Sequence, residues 1–227
     1  MDTSQTTDTD AAQASQTPGG VPGARKRRPI INRIRYVFDV ALGIVLGCAL
    51  ATIIATFILV LNIGHRAVTG NGWFALLDYA RVNESVLDRA ADAYLLPGAA
   101  PPEEGVYWQA TVDGAKQKLN GQKNYMLHFP PGGLPPNKAF WSLTITNPRG
   151  AMVVNAIERY SVSDRSGLAA NDDGSVDIYI RNSAPQGHES NWLPAPDSNF
   201  KLWLRVYQPD KSVLSGEYRA PPVTEVK

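Results

Sequence analysis

Val40 to Leu61 reads VALGIVLGCALATIIATFILVL, 22 residues without one charge. A helix rising about 1.5 Å per residue carries a run of that length across a hydrocarbon core of about 30 Å. The run therefore predicts a transmembrane helix, assigned to 37–62, and the rest of the chain has to be placed on one side of a bilayer or the other. A cleaved signal peptide has an apolar core of only about 7–15 residues close to its start. This run is longer and begins at residue 40, which favours an uncleaved anchor.

The flanks set the expected orientation. Arg25, Lys26, Arg27, Arg28, Arg33 and Arg35 precede the span, whereas the thirty residues after it hold only Arg66, Arg81 and Arg89. The positive-inside bias then puts the N-terminus in the cytoplasm. The expectation is a single-pass membrane protein with its C-terminal domain outside the cytoplasm. Residues 1–36 are read as a disordered cytoplasmic tail with a basic cluster, because Met1 to Gly23 has almost no large apolar residue to offset the entropy of ordering. The part beyond the span is close to neutral, with 16 basic and 17 acidic residues, so nucleic acid is not expected as a partner. The single cysteine, Cys48, lies in the apolar run. The outer part therefore has no disulfide, no thiolate nucleophile and no cysteine metal ligand.

Past the span, 63–104 is read as a juxtamembrane linker with one helix over Glu84 to Leu96. Leu87, Ala90, Ala91, Tyr94 and Leu95 recur at helical spacing, Asn83 or Ser85 can cap the start, and Pro97-Gly98 stops it. Such a helix lies across a sheet or reaches back towards the bilayer. From residue 105 the period changes to two. Tyr125, Leu127 and Phe129 alternate with polar neighbours, as do Trp141, Leu143 and Ile145, then Val176, Ile178 and Ile180, then Leu202, Leu204 and Val206. Tyr107 to Val112 and Met152 to Val154 add two further strand candidates. Asp113-Gly114, Asn120-Gly121, Pro131-Gly132-Gly133 and Asp173-Gly174 supply turns, the last suited to a type I′ hairpin. The predicted fold is mainly β, an antiparallel sandwich or jelly-roll-type domain over 105–227, preceded by a short helix and a transmembrane helix.

Five segments occur in order: AFWSLTIT at 139–146, NAIERYSVSDR at 155–165, NDDGSVDIYI at 171–180, SNWLPAPDSNFKLWLRVYQP at 190–209, and GEYRAPPV from Gly216. On these the chain resembles DUF1214, a bacterial family without an established activity. The resemblance implies an all-β, jelly-roll-type domain. It also implies a short anchored form without the DUF1254 domain that often accompanies longer relatives. Ser163 stands where the family has a glycine, which puts any tight backbone approach there in doubt.

Motifs for chemistry are sparse. His65, His128 and His188 show no ligand spacing, so no metal and no cofactor is expected, and His188-Glu189 is read as a solvated loop. There is no G-x-S-x-G, and SNFK at 198–201 lacks the companions of a serine–lysine enzyme. PPGGLPP at 130–136 has no Lys-Ser/Thr to make a phosphate cradle.

What remains as a candidate ligand site is Arg159, Tyr160, Asp164 and Arg165, Tyr179 and His188, Asn191 and Trp192, and Trp203 with Arg205. Arginine grips carboxylates, although Arg159 and Asp164 read more simply as an internal ion pair fixing a loop. Asp177, Tyr179 and Arg181 on one outward face, and Lys201, Trp203, Arg205 and Tyr207 on another, interleave rings with charges as sugar-binding surfaces do. A covered sheet face has the same composition. Pro194 and Pro196 stiffen the chain around Trp192. The indole is thus expected to plug one end of the sandwich, with Asn191 tying the loop to backbone, and Trp192→Ala to cost about 3–5 kcal/mol.

The leading functional expectation is a membrane-anchored module that binds an envelope component: a glycan, an amphiphile or a protein. The rival is a hydrolase or lyase acting through Glu158, Arg159, Tyr160, Asp164 and Glu189. A third reading is a structural subunit of a membrane complex, pairing its span through Gly43 and Gly47.

Overall fold

The structure, a computed structural model, describes residues 30–81 and 84–227. Residues 1–29 of the expected tail, with the basic residues 25–28, lie outside the described residues; 30–36, read as part of that tail, are helical instead. Contacts divide the chain into one unit ending at Ala51 and a second over Thr52–Lys227. In the first, every described residue is helical and exposed.

Helix α1, Ile30–Arg66, is longer at both ends than the span read from the sequence, and it buries no residue. Its exposed side chains include Ile53, Ile54, Phe57, Ile58, Val60 and Leu61. An all-round apolar surface of that kind is stable only in an apolar medium, and the helix is long and apolar enough to cross a membrane. Nothing lies within 4 Å of where a Cβ would stand at Gly43 or Gly47.

The second unit is a sandwich of two mostly antiparallel sheets. The larger has six strands in the order β1-β2-β3-β9-β5-β6. These are β1 (Ala67–Gly70), β2 (Trp73–Leu76), β3 (Gly105–Ala110), β9 (Lys201–Pro209), β5 (Asn137–Thr146) and β6 (Ser161–Ser163). The smaller has four, β10 (Val223–Val226), β4 (Asn124–Phe129), β7 (Val176–Arg181) and β8 (Trp192–Pro194). The alternation read from the sequence is the alternation of burial: Leu202, Leu204 and Val206 of β9 and Ile178 and Ile180 of β7 are fully enclosed. Inward side chains of both sheets form one core. Phe129 packs on Trp141 across the layers at 5.5 Å between ring centroids, and Tyr125 packs edge-on to Phe200 at 5.9 Å. Rings of this size supply most of the buried apolar area.

Four local expectations are corrected. Met152 to Val154 is not a strand; it is part of an open loop in which Met152 and Val154 are exposed. The Asp173-Gly174 turn forms, with Gly174 at φ +83°, but it joins β6 and β7, which lie in different sheets, so it closes no hairpin. One pair, β7 with β8, is parallel. Finally, β1 and β2 make a hairpin inside the segment read as linker, and β2 pairs with β3. The β domain therefore begins directly after α1.

Helix α2, Val86–Leu95, starts where a cap was expected, with Ser85 accepting from the Asp88 N–H. Its packing differs from the sequence reading. Only Ala91 and Asp92 are buried, whereas Leu87 and Tyr94 of the apolar stripe point outward. Its inner side is held by Arg66, at 2.9 Å from Asp92 Oδ1 and 3.6 Å from Asp88 Oδ1. The tie is ionic, not apolar.

Candidate functional site

The outer face of the large sheet is half-buried, not open. In β9 the side chains of Trp203, Arg205 and Tyr207 point outward; they face Gln109, Tyr107 and Gly105 of β3 and Thr144, Ser142 and Phe140 of β5. A row of rings results. Tyr79 and Tyr107 stand 6.2 Å apart, Tyr107 meets Tyr207 edge-on at 6.1 Å, and Tyr207 stacks on Phe140 at 4.5 Å. The Tyr79 hydroxyl is buried and donates to the Gly105 carbonyl. Burial, and then its tyrosine neighbours, hold the phenols of Tyr79 and Tyr107 well on the protonated side of their ordinary range.

Beside this row the segment leaving α2 forms the rim of a pocket of about 230 Å³. Leu95, Leu96, Pro97, Gly98 and Ala99 make one wall, and Tyr107, Trp203 and Arg205 the other. Arg205 is positioned from below: Nη1 donates to Thr144 Oγ1 at 2.8 Å, and its guanidinium carbon lies 5.9 Å from the Trp203 ring centroid. Trp203 is fixed in turn by its Nε1, which donates to Thr146 Oγ1 at 3.3 Å. Among the described residues no carboxylate lies within ion-pair distance of Arg205. The pocket thus combines two aromatic walls with a half-desolvated cation whose one neutral partner leaves donors to spare.

The other residues singled out in the sequence fall elsewhere. Among the described residues Arg159 pairs with no carboxylate; its Nη1 donates to the carbonyls of Glu189 at 2.7 Å and Trp192 at 2.9 Å. Among the described residues the expected ion pair with Asp164 does not form: Asp164 is exposed on the turn after β6, and Arg159 Nη1 is directed to the two carbonyls instead. Tyr160 lends its carbonyl to Ile145 N–H. Arg165 lies over the Phe140 ring at 4.7 Å and donates to Ala139 O, continuing the aromatic row at its far end, while Asp164 is exposed. Tyr179 and His188 stand 5.0 Å apart on the smaller sheet's side. Glu158 and Asp164 are exposed on two separate loops, and Glu189 is exposed at the start of a one-turn 3-10 helix, Glu189–Asn191. The backbone N–H groups of Glu189 and Gly187 lower the Glu189 carboxyl. Among the described residues no cluster of three or more His, Cys, Asp or Glu is arranged to hold a metal.

Asn191 and Trp192 behave differently from each other. Asn191 is buried and bonds backbone on two neighbouring segments. Trp192 is only half-buried; its Nε1 donates to Arg181 O at 2.8 Å, and its ring forms a wall of an open groove of about 370 Å³ with Val153, Ile157 and Pro196. The groove leaves part of the ring uncovered, and it is Leu193 and Ala195 that enter the core. Trp192→Ala should therefore cost about 1–3 kcal/mol, short of the full value for an enclosed aromatic. A loss as large as that of Trp141→Ala in the same thermal melt would show the ring to be a core element after all.

Sequence reasoning had Trp203 and Arg205 on an outward face but missed Tyr107, Thr144 and the Leu95–Ala99 rim. Alternation alone put Tyr107 on one face of its strand. That it stands opposite Arg205 is a matter of register between strands about a hundred residues apart, and no local signal carries it.

One membrane-length apolar helix and a mainly β domain with a small cationic, aromatic pocket define the class of this protein. Residues 104–211 match the model of the family DUF1214, described as a protein of unknown function. The crystal structure of the VPA0106 protein from Vibrio parahaemolyticus is similar over 64% of this chain and 37% of its own, with 32% identity and a TM-score of 0.55. An uncharacterized protein from Burkholderia cenocepacia aligns over 57% of this chain and 31% of its own, with 17% identity and a TM-score of 0.36. The chain thus spans about a third of the length of these two structures. No curated protein matches the sequence.

Proposed function

We propose that this protein is a membrane-anchored binding module. In this reading α1 crosses the inner membrane of a bacterium with its N-terminus in the cytoplasm. The β domain stands in the periplasm and takes an envelope component, a glycan or amphiphile with an anionic group, on the face of its larger sheet. The observation that carries the reading is Arg205, a half-buried cation without a described carboxylate partner, set between Trp203 and Tyr107 in the pocket. A charge taken partly out of water is stabilised by a counter-charge, and an arginine fork favours carboxylate or phosphate. The flanking rings offer flat apolar faces for a sugar or chain. At about 230 Å³ the space suits one ring or head group, being smaller than the usual site of about 300–1,000 Å³ for a drug-sized molecule.

An acid–base reading through Glu158, Asp164 and Glu189 has less support, because general acid–base work needs groups brought together at one reacting centre and these three are exposed on three separate segments.

The test is equilibrium binding of the full chain in nanodiscs to a panel of envelope glycans and anionic amphiphiles. Arg205→Gln and Trp203→Ala should each weaken binding by about tenfold, the worth of one charge-assisted contact or one stacked ring. Absence of any binding, with no component co-purifying from membranes, would sink the proposal; so would affinity indifferent to both substitutions.

A further inference from the structure

Helix α2 is amphipathic with its faces exchanged. On a surface helix of a water-soluble domain the apolar stripe packs inward and the charges meet solvent. Here the inward side carries Asp88 and Asp92, whose carboxylates surround Arg66. Val86 is 75% exposed, Tyr94 67% and Leu87 38%, and Ala90 and Ala93 are exposed beside them. At about 100° per residue these five fall on one side of the helix, opposite Asp88 and Asp92. Left in water, that side would cost free energy in proportion to its apolar area.

The tether fixes where this face stands. Asn62 Nδ2 donates to Asp88 Oδ1 at 2.9 Å, and Arg66 Nη2 donates to Asp92 Oδ2 at 3.3 Å. Asn62 follows directly on Leu61, the last residue of the apolar run Val40–Leu61. A side chain bonded to Asn62 therefore sits at the depth where hydrocarbon gives way to head groups. A helix of ten residues is only about 15 Å long, so all of α2 stays near that layer. The medium around its unburied side is then lipid head group and upper acyl chain.

We infer that α2 is an interfacial helix whose Val86, Leu87, Ala90 and Tyr94 side rests in the bilayer that α1 crosses. The inference rests on the reading of α1 as a membrane anchor. Continuity with that span singles out lipid as the occupant. A second copy of the chain is less well suited, since one face of a ten-residue helix offers far less than the ~800 Å² per partner of a stable interface. Tyrosine is at home at this depth, ring in the apolar layer and hydroxyl among the head groups. Leu95 to Ala99, which leave α2, form the rim of the Arg205 pocket. That pocket then opens beside the head groups, where an amphiphile is presented without leaving the membrane.

Site-directed spin labelling of the full chain tests this. Val86→Cys, Tyr94→Cys and, as a control on the exposed turn before β7, Asp172→Cys are each made on a Cys48→Ser background. The labelled chains are reconstituted in phosphatidylethanolamine–phosphatidylglycerol vesicles. Labels at 86 and 94 should collide with lipid-soluble oxygen several-fold more, and with a water-soluble nickel complex several-fold less, than the label at 172. Nickel accessibility at 86 and 94 equal to that at 172 overturns the inference. Spin–spin broadening at 94 that disappears on dilution with unlabelled chain also overturns it, in favour of a second copy. Extraction of the chain from the vesicles by alkaline carbonate would instead overturn the anchor reading on which the inference stands.

Discussion

Gly121→Ala is expected to destabilise the β domain by about 3 kcal/mol or more, beyond the usual range for a small added group. A Cβ built at Gly121 would stand 1.6 Å from the carbonyl oxygen of Pro196 and 2.7 Å from its carbon. The obstacle is backbone, which cannot swing aside as a side chain can. The glycine is required by close approach. Its neighbourhood explains why relief is costly: Gly121 N–H donates to Ser198 O at 3.1 Å, Asn120 bridges Asn199, and Phe200 N–H reaches Leu119 O at 3.3 Å. Moving Pro196 by the distance needed strips these bonds from the segment that leads into β9. For a chain of this size about 2–4 °C of melting temperature goes with each kcal/mol, so a fall of roughly 10 °C should be seen in a thermal melt of the full chain in detergent. A melt unchanged within a degree or two would show that Pro196 yields freely and that the approach is not constrained.

This contact also shows what kind of information the amino-acid order carries. Asn120-Gly121 is legible as a turn, because asparagine and glycine accept the dihedrals that turns need. That Pro196 rests on it is a contact between segments some 75 residues apart, and no local pattern encodes it. The same division runs through the fold. β4, β5, β7 and β9 declare themselves by period-two alternation of apolar and polar residues, since each has one face in the core. β1, with the sequence AVTG, is too short and too exposed to alternate. β8 pairs in parallel, which follows from where the chain is carried, not from composition. Met152 to Val154 is apolar enough to read as a strand, yet it lies on the open loop bordering the Trp192 groove.

Charge misled in a different way. Arg159 and Asp164 invite pairing because opposite charges close in sequence attract. The two carbonyls that Arg159 holds belong to Glu189 and Trp192, and backbone carbonyls leave no mark in a sequence. In α2 the spacing of Leu87, Ala90 and Tyr94 is that of a packed stripe, but spacing cannot say what it packs on. Four carboxylates, Asp78, Glu84, Asp88 and Asp92, converge on Arg66, so the acidic side of the helix is the side drawn inward. Trp203 and Arg205 were visible as candidates for a physical reason: on a strand with Leu202, Leu204 and Val206 buried, their side chains have to emerge on the other face.

Asn191→Ala is expected to cost about 3–5 kcal/mol, because it leaves several buried backbone groups without partners at about 1–3 kcal/mol each. The side chain is 3% exposed and uses its full capacity, two donors and two acceptor positions. Nδ2 donates to Ala169 O at 2.7 Å and Asp177 O at 2.8 Å; Oδ1 accepts from Ala169 N–H at 2.8 Å and Ser190 Oγ at 2.9 Å. Asn191→Asp has the same shape and should be worse at neutral pH, since it turns an acceptor towards two carbonyls and buries a charge. Burial facing carbonyls raises the folded-state pKa of the new carboxyl above its unfolded value near ~4. Its penalty is then smallest below pH ~4, where both states are protonated, and grows as pH rises through the unfolded pKa. Melts of the Ala and Asp variants at pH 4 and pH 7 should therefore converge at the lower pH. An Asp variant as stable as the wild type at pH 7 would mean that water reaches the site. Arg159 clamps the carbonyls on either side of the same residue, so removing both side chains should cost less than the sum of the single losses, by about 0.5–3 kcal/mol of coupling. Strict additivity would make the two ties independent, and the loop that carries Trp192 would then be held at two separate places instead of one.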